Sequence, residues 1–187
     1  MRIISGYLKG KKLELPNDKN TRPLKDLVKE SIFNIIKHSG RIKKNLVNTR
    51  VLDCFSGTGS FGLECISRGA KNLTFLENYT PALKILNKNI KNLKLENYCQ
   101  VYSEEIFKFS KKKIDKKFDV IFFDPPYKYE KISEMFKHTF ENNFLKTNGL
   151  IILHRHKKSS DNIPSYFNEV ECKIYGISKI LFYKLND

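Results

Sequence analysis

The chain's pattern predicts an α/β fold, a doubly wound sheet of seven mostly parallel strands, and three observations carry the prediction. From about residue 50 onward, short apolar runs alternate with amphipathic stretches, the mark of β-α-β units. The first apolar run, Val51-Leu52, leads directly into Asp53-Cys54-Phe55-Ser56-Gly57-Thr58-Gly59, a glycine loop that opens a helical stretch. The last two extended runs are joined by a tight turn at Gly176, which gives the sheet an antiparallel edge.

The elements follow in order. Arg2-Ile3-Ile4-Ser5 and Lys11-Lys12-Leu13-Glu14-Leu15 read as a hairpin around Gly6-Tyr7-Leu8-Lys9-Gly10, closed by Pro16-Asn17-Asp18. From Pro23, Leu24, Leu27, Val28, Ile32, Phe33, Ile35 and Ile36 recur at helical spacing, with Thr21 as cap and Gly40 as stop. The basic segment Arg41-Ile42-Lys43-Lys44-Asn45 comes next. Strands are predicted over 50–54, 72–76, 99–102, 118–123, 150–154, 169–175 and 178–185, and helices near 59–67, 81–93, 104–111 and 129–144. There is no internal repeat or long linker, so one domain is expected over 1–187, its hairpin extension (1–22) burying little core and 23–187 forming the body.

Bulk properties narrow the function. A formal net charge of +15, from 35 Lys+Arg against 20 Asp+Glu, favours a polyanionic partner. Lys, Asn and Ile are abundant and arginines few, as an AT-biased coding sequence would produce, so where the charge sits matters more than its total. No run approaches the ~20 apolar residues of a membrane helix, and no secretory leader pattern opens the chain; a cytoplasmic protein without a membrane partner is expected. Cys54, Cys65, Cys99 and Cys172 form no C-x-x-C pair. His154 and His156 flank Arg155 on one strand face but lack an evident third ligand, so no metal is expected.

Two loops carry chemistry. Gly57 and Gly59 let a nucleotide cofactor approach the backbone at the start of a helix, with Asp53, Phe55, Ser56 and Thr58 lining the same turn. The spacing is not a dinucleotide fingerprint, because Gly62 meets it only by a shifted count. Glu77, at a strand end roughly twenty residues on and followed by Asn78, is placed to accept ribose hydroxyls. Glu104 is a candidate acceptor for an adenine amine, with Glu105 beside it and a helix-start role open to either. The second loop, Asp124-Pro125-Pro126-Tyr127, follows Val120-Ile121-Phe122-Phe123. An exocyclic amine is a poor nucleophile because its lone pair is delocalised into the ring. The Asp124 carboxylate and the Pro125 carbonyl can accept its two hydrogens, two prolines preorganise those acceptors, and Tyr127 offers a face to a flipped base. S-adenosylmethionine-dependent methylation of a planar exocyclic amine is the chemistry expected from the pair.

Together with Ser60-Phe61-Gly62-Leu63-Glu64, Ser67-Arg68-Gly69-Ala70, Thr21-Arg22-Pro23, Glu30-Ser31-Ile32-Phe33-Asn34 and the N-terminal Arg2-Ile3-Ile4-x-Gly6-x3-Gly10-x2-Leu13, these motifs resemble the bacterial RsmD family over nearly the whole chain. The resemblance implies a class I, Rossmann-like fold, S-adenosylmethionine as cofactor, and methylation of N2 of a guanine in 16S ribosomal RNA of the small subunit. Leu24 and Leu27 stand where that family usually has Thr and Arg, Lys29 replaces another Arg, and His154 occupies a position usually held by Glu. Arg2, Lys9, Lys11, Lys12 and Arg22 are expected to grip RNA phosphates. The competing readings are N6-adenine methylation of DNA or RNA, which the same loop serves, and a non-catalytic RNA-binding assembly factor.

Overall fold

The computed structural model describes residues 1–17, 24–42 and 44–186, so the expected cap at Thr21, the helix start at Pro23 and the RNA contact at Arg22 lie outside the described residues. The helix whose start was expected at Pro23 is α1 (Asp26–His38). It is followed by β1 (Arg50–Cys54), α2 (Ser60–Ser67), β2 (Asn72–Leu76), α3 (Thr80–Asn92), β3 (Cys99–Tyr102), β4 (Phe118–Phe123), α4 (Ile132–Glu141), β5 (Leu145–His156), β6 (Phe167–Tyr175) and β7 (Ser178–Leu185). The strands form one sheet in the order β3-β2-β1-β4-β5-β7-β6. β1 to β5 pair in parallel, while β7 runs antiparallel to both β5 and β6.

The sheet is buried on both faces, which is why its central strands read as unbroken apolar runs. Val51, Val120, Phe122, Leu150 and Ile152 face one side, where they pack with Val28 and Ile32 of α1, Phe61 and Leu63 of α2 and Leu86 of α3. Leu52, Ile121, Phe123, Ile151 and Leu153 face the other, against Ile132, Met135 and Phe136 of α4. On the first face Phe61 stacks on Phe122 with ring centres 4.0 Å apart and on Phe33 at 5.3 Å.

Three expectations are corrected. The helix predicted over 104–111 is instead two short 3-10 turns, Ile106–Lys108 and Lys111–Lys113. Ile106 and Phe109 are the fully buried anchors of that stretch; three residues apart, they align on a three-residue turn, and the lysine run supplies no apolar residue to extend a helical stripe. Strand β5 begins at Leu145 rather than 150, because residues between Leu145 and Leu150 form a bulge opposite Phe118 and Val120. The N-terminal hairpin has a single bridge, Arg2 to Lys12, rather than two regular strands, and it does bury core: Ile3, Leu8 and Leu13 join the α1/α2 cluster.

The hairpin is seated on α2 through polar contacts. Both oxygens of the buried Glu64 accept backbone N–H groups, Ile4 at 2.8 Å and Ser5 at 2.9 Å. Ser67 accepts from Tyr7 through its carbonyl and from Leu8 through its hydroxyl oxygen, at 2.9 and 3.0 Å. The Lys29 side chain, fully buried on α1, donates to Arg2 O at 2.7 Å and Ser60 Oγ at 3.2 Å, with Glu64 at 3.8 Å. Burial pushes its ammonium below the ordinary value, and the carboxylates of Glu64 and Asp26 pull it back.

Candidate active site

The order β2-β1-β4-β5 makes the gap between β1 and β4 the point where the winding of the sheet reverses, the usual ligand crevice of an open α/β sheet. Asp53 pairs with Phe122 and Cys54 with Phe123, and Asp124 N–H donates to Cys54 O at 3.4 Å. The glycine loop and the acceptor loop, far apart in sequence, therefore leave the sheet side by side. Asp53, Phe55, Ser56, Gly57, Thr58 and Asp124 line one cleft, together with Ser60, Phe61, Met1 and Leu24. Gly59, Glu77, Asn78 and Glu104 stand outside that lining; Gly59 follows Thr58 of the lining, Glu77 bonds to Gly57 of it, and Glu104 is paired with Lys113.

The backbone leaves β1 through a left-handed Phe55 (φ 57°), with Gly57 and Gly59 also at positive φ. At Gly59 the left-handed backbone (φ 84°) favours glycine, and a Cβ would lie 2.5 Å from Leu86 Cδ1, which would have to shift. Glu77 ties this loop to β2: its Oε2 accepts from Gly57 N–H at 2.7 Å and its Oε1 from Tyr79 N–H at 2.8 Å. Burial raises its carboxyl, and the N–H groups of Tyr79, Gly57 and Asn78 oppose that. Asn89 of α3 couples the loop to the hairpin, its amide donating to Thr58 O at 3.1 Å and Glu14 O at 3.2 Å.

Asp53 is 1% exposed. Its Oδ2 accepts from Gly62 N–H at 2.9 Å, while Oδ1 is buried without a hydrogen-bond partner among the described residues. Burial holds its carboxyl well above the usual range; the Gly62 bond works against this, and the nearby Asp124 and Glu77 charges add to it. A buried carboxylate with one unused oxygen is a place for a cation or donor. Glu104 is engaged by Lys113 Nζ at 2.7 Å, and the neighbouring Glu105 accepts from Asn78 Nδ2 at 3.1 Å.

The acceptor loop is braced by the end of β5. His154 Nδ1 lies 2.7 Å from Asp124 Oδ1. Arg155, 4% exposed, donates to Pro126 O at 3.2 Å and Tyr129 O at 2.9 Å, and is itself fixed by two 3.0 Å bonds to Asp161. The Tyr127 ring meets the edges of His156 and His154, with centres 5.1 and 6.0 Å apart. Tyr129 closes the circle by packing edge-on against Phe55 at 5.1 Å. Alternation at positions 154 and 156 signalled a shared strand face, but nothing local marked Asp124, Tyr127 and Asp161 as its partners. Among the described residues no group of three His, Cys, Asp or Glu is arranged to hold a metal.

Of the residues expected to grip RNA, Lys9, Lys11 and Lys12 are exposed, as is the Arg2 side chain, 3.9 Å from Asp26. Leu24 is buried at the cleft, Leu27 is exposed, and Lys29 is the buried ammonium between hairpin and α2.

Known proteins share this fold, and they give the chain a class, that of a methyltransferase. The solved structure of yhhF from Escherichia coli superposes with a TM-score of 0.84 at 26% identity, covering 100% of this chain and 98% of that chain. A methyltransferase of Podospora anserina solved with SAH bound shares the fold at a TM-score of 0.60 and 12% identity, over 74% of this chain and 72% of that one. The curated relative named Ribosomal RNA small subunit methyltransferase D in Buchnera aphidicola (subsp. Acyrthosiphon pisum) is 33% identical over 92% of this chain and 91% of its own length. The protein of that name in Haemophilus influenzae is also 33% identical, over 98% and 93%. The model of the family described as Conserved hypothetical protein 95 matches residues 1–184, and the chain belongs to that family, the RsmD family of the sequence resemblance.

Proposed function

We propose that this methyltransferase uses S-adenosylmethionine to methylate the exocyclic N2 amine of a guanine in 16S ribosomal RNA of the small subunit. The observation that carries the reading is the meeting of the two loops at the β1/β4 crevice, with the unpartnered Asp53 Oδ1 on one side and Asp124 on the other. The residues fit the cofactor: the unpartnered Asp53 Oδ1 would ionise and accept from a cationic donor, Gly57 and Gly59 leave the backbone open, and Glu77 and Asn78 follow the neighbouring strand where ribose hydroxyls are bound in such folds. When bound, S-adenosylmethionine supplies an electrophilic methyl carbon carried on a sulfonium.

The chain's own residues do the rest. Asp124 and the carbonyl of Pro125 accept the two amine hydrogens, which localises the nitrogen lone pair; Pro125 and Pro126 hold these acceptors in place, and Tyr127 stacks on the base. Arg2, Lys9, Lys11, Lys12 and Arg22 grip phosphates and position the RNA without choosing the base. No helix of the described residues is long and apolar enough to cross a membrane; a cytoplasmic location fits an rRNA substrate.

Tritium transfer from labelled cofactor to unmethylated small-subunit RNA, naked and as assembled particle, followed by nucleoside analysis, tests the proposal. Label in N2-methylguanosine supports it. Label in N6-methyladenosine favours the adenine reading, and no transfer to either substrate favours the assembly factor.

A further inference from the structure

We infer that His154 is a positioning residue for the acceptor carboxylate: its Nδ1–H holds Asp124 Oδ1, so that Oδ2 is the oxygen presented to the substrate amine. The inference rests on the reading of Asp124 given above. An ionised carboxylate can only accept, so in a 2.7 Å contact with Asp124 the hydrogen belongs to Nδ1. Nε2, the other ring nitrogen, is buried and without a hydrogen-bond partner among the described residues. Such a group is costly to bury, and a hydrocarbon side chain would avoid the cost.

The contact has a direction. The His154 side chain is 5% exposed and that of Asp124 22%, so a fixed donor in the core reaches an acceptor that opens toward the cleft. A carboxylate's terminal torsion is broad, so without a donor on one oxygen its plane would rotate and the other oxygen would leave the amine's position. His154 is rigidly mounted: it lies in β5, paired with Ile180 of β7, and its ring also meets Tyr127 edge-on at 6.0 Å. One side chain thus touches both the group that accepts the amine hydrogen and the ring that stacks the base. It does so from a strand end that the glycine loop does not share, so its effect belongs to the transfer step and not to cofactor binding.

The test is single-turnover methyl transfer by the full chain on unmethylated small-subunit RNA, with melting and cofactor titration for each variant. His154→Leu is expected to slow transfer by about tenfold or more and to leave cofactor affinity within a few-fold. His154→Asn, whose amide N–H stands at the same side-chain position as Nδ1, recovers most of the loss; His154→Gln, whose N–H is one bond further out, does not. In an Asp124→Ala background His154→Leu adds less than about twofold, because its effect runs through Asp124. A folded His154→Leu protein at full rate overturns the inference, as does equal loss in the Asp124→Ala background or rescue by Gln equal to that by Asn. If His154→Leu does not fold, the Asn and Gln pair decides. A fully active Asp124→Ala protein overturns the reading of Asp124 and this inference with it; a slow Asp124→Ala beside an unaffected His154→Leu overturns the inference alone.

Discussion

Asp53 sets binding against stability within one side chain. Its folded carboxyl lies well above the ordinary 3.8, so the folded protein holds a proton over a range of pH in which the unfolded chain has released it. Its contribution is therefore fully favourable below the unfolded value and is lost as pH rises through the raised one. Asp53→Asn should raise the melting temperature of the cofactor-free protein by a few degrees at neutral pH, with the gain vanishing in acid, while weakening cofactor binding about tenfold to a hundredfold by calorimetry. Equal affinity would remove Asp53 from the cofactor's surroundings. Asp53 and Asp124 were legible in the sequence because each follows an apolar run and begins a loop of distinctive composition. His154, Arg155 and Asp161 were not legible as parts of the site: the first two are brought to it by pairing of β4 with β5, and Asp161 by its bonds to Arg155, neither of which leaves a local pattern.

At the scale of elements, strand borders were widely legible. β1, β2, β3, β4 and β7 begin and end where they were expected; β1, β2, β4 and β7 are inserted in the sheet and show sharp apolar borders, whereas β3 is a half-exposed edge strand. The segment after β3 was misread because one acidic start and a few apolar residues imitate a helix when the lysines beyond are not weighed against it. The hairpin was misjudged for a different reason: its anchors, Glu64 and Ser67, are on α2, and its turn is shaped by them. Gly6, at φ 81°, would place a Cβ 1.8 Å from Ser67 O, whereas Gly10, at φ 86°, has open space around it. Both positions are conformationally costly for alanine, but only Gly6 adds a backbone collision. Gly6→Ala should therefore cost about 2–5 kcal/mol and Gly10→Ala about 1–2 kcal/mol in denaturant unfolding. Equal costs would show that the hairpin is not pressed onto α2.

For the whole molecule, a charge of +15 is informative only where it is placed. The sheet brings one cleft together at the β1/β4 crevice, and the hairpin, whose Met1 lines that cleft, carries exposed Arg2, Lys9, Lys11 and Lys12. Neutralising three of those four should reduce the log–log salt slope of RNA binding by about three units without changing which nucleotide is methylated. An unchanged slope would make them a solvated face. The central claim, that the two loops form one active centre with Asp124 on the amine's side, is tested most directly by the single-turnover methyl-transfer rate of Asp124→Ala beside its cofactor affinity. The account predicts a rate lower by roughly a hundredfold or more with affinity within a few-fold, the pattern of an interaction made mainly in the transition state; an Asp124→Ala protein that methylates small-subunit RNA at the full rate would contradict it.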